Sequence, residues 1–428
     1  MAPPEHRRPL KRTAISDQQR RRDLTLQRQA QSRRDAQQQA RSLASTVLSF
    51  QFNQIEPDQE PDIELEPVTD DHTRPEQEEE TGAFSNDLDI RQASKLRGAA
   101  VRKWFARQLM LPEWMIDVPD RLSQDWYVFA RPAGKRCFVV SSNGTTISRL
   151  RNGSILHRFP SALPNGAKKT KDISGPGQSY SILDCIFHES DQTYYVIDMV
   201  CWRGYSLYDC TAEFRFFWLN SKLGETGACD PPSVYHRYRF STVLVYNCDQ
   251  TGLYTSYTQA GPYVKDGLLF YNKHAHYQTG NTPLTLVWKD ENCSEYVIDT
   301  DSKGQVPTQQ QVVLELQDDG RLITSDDPPV VFGCLDSDFI QKLGLHSGNL
   351  LRFAIGDGLL SFVDGKLEKA DLQYLGKSNR ARAFADSYSK VMFQHTVRHS
   401  PLKFVDLLGS TCSSDELQNK PCDVEMVG

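Results

Sequence analysis

The stretch FARPAGKRCFVV, residues 129–140, decides how the chain is read. Aromatic and β-branched residues at both ends flank Pro132-Ala133-Gly134, a turn signal, so WYVFARP and KRCFVVSSNG read as strands meeting at a basic turn. The same signature recurs in YSILDCIFH, TYYVIDMVCW, STVLVYNC, GLLFYNK and TPLTLVWKD, while FRFFWLNSKLG suits a short helix or a strand. KLRGAAVRKWFARQLMLPEWM reads as a helix whose pattern breaks before Pro112. A second series, VVLELQDDGRLITS, PVVFGCL and LLRFAIGDGLLSFVDGKL, carries D-D-G and G-D-G signals that predict hairpins, and RARAFADSYSKVMFQH predicts a helix. The fold class is α+β, antiparallel and β-rich.

Charge divides the chain further. Residues 1–45 hold eleven Lys/Arg and four Asp/Glu, a net of +7, whereas residues 46–95 carry fourteen acids and three bases, a net of −11. The whole chain has a formal charge of −6, so the part beyond residue 95 is close to neutral. Domains are expected at 1–45 (a basic arm), 46–95 (an acidic, proline-punctuated disordered linker), 96–300 (a β-rich domain), 301–410 (a β-rich extension with a helix) and 411–428 (a disordered tail). No Gly or Pro falls between Asp17 and Ala44, and Ser16 or Asp17 can cap a helix there. Its apolar residues are too few for a buried stripe, so the helix is expected to order on a partner. Ten cysteines without a C-x-x-C pair argue against a disulfide framework and, with only 274-HAH-276 to add, against a zinc site. No metal or other cofactor is expected. Neither a secretory signal nor an apolar run of about 18 residues is present, so no membrane partner is expected, and a monomer in a reducing compartment is.

The turn has a second reading. RPAGKR (131–136) is spaced like K-x-D-G-x-R, the nucleophile motif of mRNA guanylyltransferases and nucleic-acid ligases. ILDCIF (182–187) resembles that fold's D-G-E strand, YYVIDMV (194–200) the next strand, KDGLLFY (265–271) its E-G motif, and LVWKD (286–290) its L-K-W-K motif. The substitutions decide the chemistry. Nucleotidyl transfer needs a deprotonated amine, and a guanidinium at Arg131 stays protonated. Ala133, Ile186 and Val287 stand where the motifs have Asp, Glu and Lys. Gly134, Arg136, Asp266, Gly267 and Lys289 remain, enough to hold a nucleotide but not to activate it.

This combination resembles the snurportins, import adaptors for small nuclear ribonucleoproteins, through RQLMLPEWMIDVP (107–119), QTYYVIDMVCWRG (192–204), FRFFWLNSKL (214–223), DGLLFY (266–271), HYQTGNTPL (276–284) and Trp288. The resemblance implies a nucleotidyltransferase-like domain that binds the 2,2,7-trimethylguanosine cap of small nuclear RNA. It places Leu111 and Trp114 beside the cap and Trp288 as the stacking residue, after a one-residue shift between Pro283 and Trp288. Lys135, Arg136 and Arg151 become the cations for the triphosphate, with Arg151 replacing a family lysine. Cys137 and Lys222 complete the implied site. Pro112 replaces a serine, which removes a hydroxyl, and Arg131 replaces a small residue. Chemistry agrees with such a ligand, because methylation at N7 makes the base cationic and therefore a good partner for an indole face.

The basic arm resembles the family's importin-β-binding segment, which implies roles for Arg20, Arg21, Arg22, Arg28, Arg33, Arg34 and Arg41. The family's other partner is the nuclear exportin, bound through an apolar N-terminal segment not seen ahead of this arm. LKFVDLL (402–408) has export-signal spacing, and helix core explains it equally. A shuttling, non-enzymatic adaptor of nucleus and cytoplasm is the expectation. The rivals are an active guanylyltransferase or RNA ligase, with residues 301–368 as an oligonucleotide-binding barrel, and a general RNA-binding protein.

Overall fold

The computed structural model describes residues 17–29, 98–170, 180–234, 236–301, 303–363, 366–379 and 382–411. The acidic segment 46–95 and the tail 412–428 lie outside the described residues, as do Ser16, Arg33, Arg34 and Arg41. The protein is α+β with mostly antiparallel sheets. Helix α1 (Asp17–Gln29) precedes α2 (Gly98–Phe105), strand β1 (Met110–Trp114), the short α3 (Leu122–Asp125), β2 (Trp126–Pro132), β3 (Lys135–Ser142), β4 (Thr145–Leu150) and β5 (Ile155–Phe159). Next come β6 (Tyr180–His188), β7 (Thr193–Trp202), β8 (Tyr205–Ser206), α4 (Ala212–Gly224), β9 (Arg239–Thr242), β10 (Tyr246–Asn247), α5 (Gln250–Thr258), β11 (Lys265–Asn272) and β12 (Gly280–Trp288). The last part holds β13 (Gln311–Leu316), β14 (Arg321–Ile323), β15 (Val331–Cys334), α6 (Ser337–Lys342), β16 (Leu350–Val363), β17 (Lys366–Lys377), α7 (Tyr388–His399) and α8 (Phe404–Thr411).

Two sheets form the central domain. One runs β1-β12-β11-β2-β10, the other β5-β4-β3-β6-β7-β8 with β9 beside β7. Every residue of β6 and β7 is buried, because these strands separate two apolar layers. Phe129, Phe138, Ile186, Tyr195 and Val287 fill the layer between the sheets. Cys137, Leu183, Tyr194 and Phe240 fill the outer layer. Such strands read as near-continuous apolar runs rather than as alternation. FRFFWLNSKLG resolves as helix α4, whose first turn Thr211 caps through Phe214 N at 3.3 Å.

A third, antiparallel sheet, β15-β14-β13-β16-β17, completes the fold. The D-D-G turn joins β13 to β14 with Gly320 at φ 81°. The G-D-G signal is not a turn. It lies inside β16, where pairing with β17 steps from Ile355 to Leu360 in a bulge. Helix α7 ties this sheet to the first, with Phe393 packed in the outer layer of the first sheet and Val391 and Met392 in the core of the third.

Two further expectations need correction. The helix predicted up to Pro112 ends at Phe105, and Pro112 sits inside β1, paired with Thr282 of β12. Parallel pairing with β12 overrides the local helix preference of ARQLML, and a fixed proline φ suits an extended strand. Helix α1 does bury a stripe, but a polar one: Gln18 and Arg22 are buried against β1 and β12, and Gln29 against the loop between β11 and β12.

Candidate functional site

The turn after β2 enters the gap between the two central sheets. Gly134 has φ 138°, and a Cβ there would lie 2.3 Å from Phe187 O, so only glycine lets β3 approach β6 at this point. Arg131, just before it, pairs with Asp266. Asp266 also accepts from Lys289 Nζ at 2.5 Å and from Ser294 Oγ at 2.6 Å. A Cβ on Gly267 (φ 98°) would come within 2.7 Å of both Lys289 Cγ and Trp288 O, so glycine brings β11 close enough for this contact. Burial would raise the Asp266 carboxyl, but Arg131 and Lys289 outweigh it and hold it below 3.8.

Deeper in, Arg136 grips Asp184 with two donors, Nε to Oδ1 at 3.0 Å and Nη2 to Oδ2 at 2.7 Å. Nη2 also donates to Met110 O at 2.7 Å. Tyr277 OH donates to Asp184 Oδ2 at 2.8 Å and accepts from Met110 N at 3.2 Å. Burial works against the Arg136 charge, and Asp184 more than compensates, raising its pKa. Next along stands Arg151, whose guanidinium lies 5.9 Å from the Phe384 ring centre. Desolvation by the surrounding protein, then the charges of Arg136 and Arg382, lower its pKa. Arg131 is lowered too, by burial and by Arg136, with Asp266 opposing. Arg136 is thus coupled by charge to both Arg131 and Arg151, and through it the three form a cationic row.

Trp114 stands near this row. Its ring lies 5.8 Å from Lys289 Nζ and 4.7 Å from the Phe393 ring. Backbone bonds tie its strand to distant parts of the chain: Trp114 N donates to Ser389 Oγ at 3.1 Å, and Trp114 O accepts from Gln18 Nε2 at 2.9 Å. Leu111 packs half-buried against the layer between the sheets, and Pro112 has no hydroxyl to offer.

Several implied site residues lie elsewhere. Trp288 is completely buried on the other face of β12, its indole donating to Leu402 O at 3.0 Å, with Tyr257 and Phe404 against the ring. The physical reason is the two-residue period of a strand: Val287 faces the gap, so Trp288 cannot. The one-residue shift in the alignment marks this place. Cys137 sits on the outer face of β3 in the outer core, and Lys135 on the same face pairs with Glu189 at 2.7 Å. Lys222 pairs with Glu225 at 2.8 Å at the far end of α4, where Leu223 packs into the outer core. Of the three cations implied for a triphosphate, Arg136 and Arg151 belong to the row.

The arm's helix meets the same domain. Arg21 pairs with the buried Glu113, with Nη2 to Oε2 at 2.8 Å, and Gln18 donates to Glu113 Oε2 at 2.9 Å. Arg22 is buried and donates to Pro283 O at 3.2 Å and to Gln18 Oε1 at 3.1 Å. Burial lowers its pKa to about 10, against Glu113. Gln29 closes the helix by bonding His274 O and His276 N. Arg20 and Arg28 face outward.

The sequence singled out neither Asp184 nor the covering residues Phe384, Ser389 and Phe393. A lone aspartate in the apolar run ILDCIF was the available signal for the first, since a buried carboxylate needs a cation. Nothing in the extension pointed to the rest. LKFVDLL resolves as core, with Leu402, Phe404 and Leu407 packed under the first sheet. Among the described residues, no group of His, Cys, Asp and Glu is arranged to hold a metal, and no helix is long and apolar enough to cross a membrane.

These observations define a two-sheet domain in which Arg136 is held by Asp184 and Arg131 and Lys289 by Asp266. Residues 108–289 match the family model described as Snurportin1, m3G cap-binding domain. Among solved structures, the chain is similar to a mycobacterial DNA ligase D complexed with ATP and MES, at 11% identity over 65% of this chain and 98% of that one, with a TM-score of 0.31. It is also similar to the ATP-dependent DNA ligase from bacteriophage T7 in complex with ATP, at 9% identity over 64% and 99%, with a TM-score of 0.32. Likeness of that degree says nothing about chemistry.

Proposed function

We propose that the chain binds the trimethylguanosine cap of small nuclear RNA in the cleft between its central sheets, without nucleotidyl transfer. The observation that carries this reading is the match of residues 108–289, which hold Arg131, Arg136 and Arg151, to a cap-binding family model. Guanidiniums fixed in place suit a bridging triphosphate, which supplies charge and several acceptors at once. A lysine nucleophile has no place at Arg131. Lys289, which shares Asp266 with Arg131, is clamped by it. Trp114 offers the aromatic surface for the cationic base.

The same proposal makes the chain an import adaptor that shuttles between cytoplasm and nucleus and joins its cargo to importin-β through the arm. The exposed Arg20 and Arg28 would meet that partner first, and engagement of Arg21 and Arg22 would require α1 to leave Glu113.

A titration of trimethylated, monomethylated and unmethylated cap dinucleotides against the full chain, followed by tryptophan fluorescence, tests the cap site. Saturable binding of the methylated cap is expected, with Trp114→Ala losing about 1–3 kcal/mol, the value of one base stack. Equal binding of all three dinucleotides, or a covalent nucleotide adduct on incubation with GTP or ATP and a divalent metal, would overturn the reading.

A further inference from the structure

A second cationic surface lies outside the cleft. A groove of about 670 Å³ opens between α2 and the third sheet. Arg102, Lys103 and Arg107 line one wall, Lys377 and Arg382 the other, and Glu315 is the single acid among the lining residues. Asn152 and Asn349 add amide groups that suit phosphate and ribose oxygens. Arg102, Lys103, Arg107 and Lys377 are exposed.

The groove is joined to the cleft. Phe384 belongs to its lining and also lies 5.9 Å from the Arg151 guanidinium, and Asn152 comes directly after Arg151. The turn carrying both is seated on α2: a Cβ on Gly153 (φ 78°) would fall 1.9 Å from Arg102 O. Arg151 therefore borders the mouth of the groove. A chain whose triphosphate lay along the row Arg131, Arg136, Arg151 would deliver its next phosphates to Arg102 and Lys377, with Phe384 available to a base.

We propose that this groove binds the single-stranded RNA next to the cap, holding it by its phosphates. The inference rests on the cap reading and extends it from a dinucleotide to a chain. It assigns a binding role to the extension beyond residue 300. Acidic peptide is the competing occupant, and the chain's own acidic segment shortly precedes α2 in sequence. Arg151 at the groove's mouth, and an aromatic ring among the cations, favour nucleic acid, which stacks as well as pairs.

The test uses the full chain and fluorescence anisotropy with three probes: a trimethylguanosine cap dinucleotide, an RNA of about twelve nucleotides with the same cap, and that RNA uncapped. The capped RNA should bind about ten-fold or more tighter than the dinucleotide, with a steeper salt dependence, roughly 0.7 in log–log slope for each single-strand phosphate contact. Replacing Arg102→Gln and Lys377→Gln together should remove most of that gain and flatten the slope, while dinucleotide affinity and melting temperature stay unchanged. Length-independent binding by the unmodified chain would overturn the proposal, as would an equal loss for dinucleotide and RNA in the double variant. A chain lacking residues 46–95 should keep the length gain. A gain that arises only after that deletion would make the acidic segment the occupant and overturn the proposal. Failure of the dinucleotide to bind, with groove-dependent binding of uncapped RNA retained, would sink the cap reading instead.

Discussion

Two buried ion pairs in this molecule use the same chemistry in different settings. Arg136 and Asp184 meet between two strands of one sheet, where the carboxylate is fully enclosed and Tyr277 and Met110 complete the network. Arg21 and Glu113 meet between the arm and β1, where Glu113 is only 2% exposed but Arg21 keeps 38% of its surface. Beside them Arg22 is buried on carbonyl and amide oxygens, and that burial lowers its pKa against the pull of Glu113. A charge enclosed on all sides with its counter-charge is part of the fold. One that is half in water, next to a guanidinium served by neutral acceptors, is a contact that can open. The difference separates a core from a latch.

The comparison breaks first at Arg136. Arg136→Met leaves Asp184 enclosed without its cation and should cost about 3–5 kcal/mol in urea unfolding. A loss near zero would mean that Asp184 is not enclosed as described. Trp288→Ala should come close behind, at about 3–5 kcal/mol for a large buried ring, and should appear as lost stability. Normal melting with lost cap affinity would return Trp288 to the cleft. Glu113→Gln should change unfolding by no more than about 1–2 kcal/mol. It should nonetheless speed tryptic cleavage at Arg20 to Arg28 and tighten importin-β binding to the arm. Unchanged cleavage would show that the latch does not depend on the pair. The smallest effect concerns acid. Because the Asp266 carboxyl is depressed when folded, its contribution is present above pH 3.8 and lost as pH falls through its lower folded value. Asp266→Asn should remove that part of the acid sensitivity in melting curves taken between pH 5 and about 3, and an unaltered profile would mean that Arg131 and Lys289 do not hold it.

How much could be read from the sequence depends on how local each signal is. Strands β2, β3, β6, β7, β11 and β12 were legible because their apolar runs are long and bounded by turns. The glycine turn and the charged members Arg131, Arg136, Asp266 and Lys289 were legible from three short motifs in the expected order, RPAGKR, KDGLLFY and LVWKD. Pro112 misled because it ends helices and tolerates strands alike, and only β12 decides between them. Trp288 misled because a single residue of register exchanges the faces of a strand. The arm's buried stripe was hidden because it is made of glutamine and arginine, which ordinarily mark a solvated face. The roles of Phe384, Ser389 and Phe393 come wholly from distant packing.

Strand β1 carries one more consequence. It is the last strand of its sheet, and an open edge of that kind invites pairing with another chain. Here the outward positions are Met110, Pro112 and Trp114. Met110 gives its N–H to Tyr277 and its carbonyl to Arg136, and Trp114 gives its N–H to Ser389 and its carbonyl to Gln18. Proline between them has no N–H to offer. Side chains, rather than a neighbouring strand, thus close the edge against self-association, and one of those closures belongs to α1. Whatever draws the arm away also uncovers Trp114 O, while Tyr277, Arg136, Ser389 and Pro112 keep the rest of the edge closed.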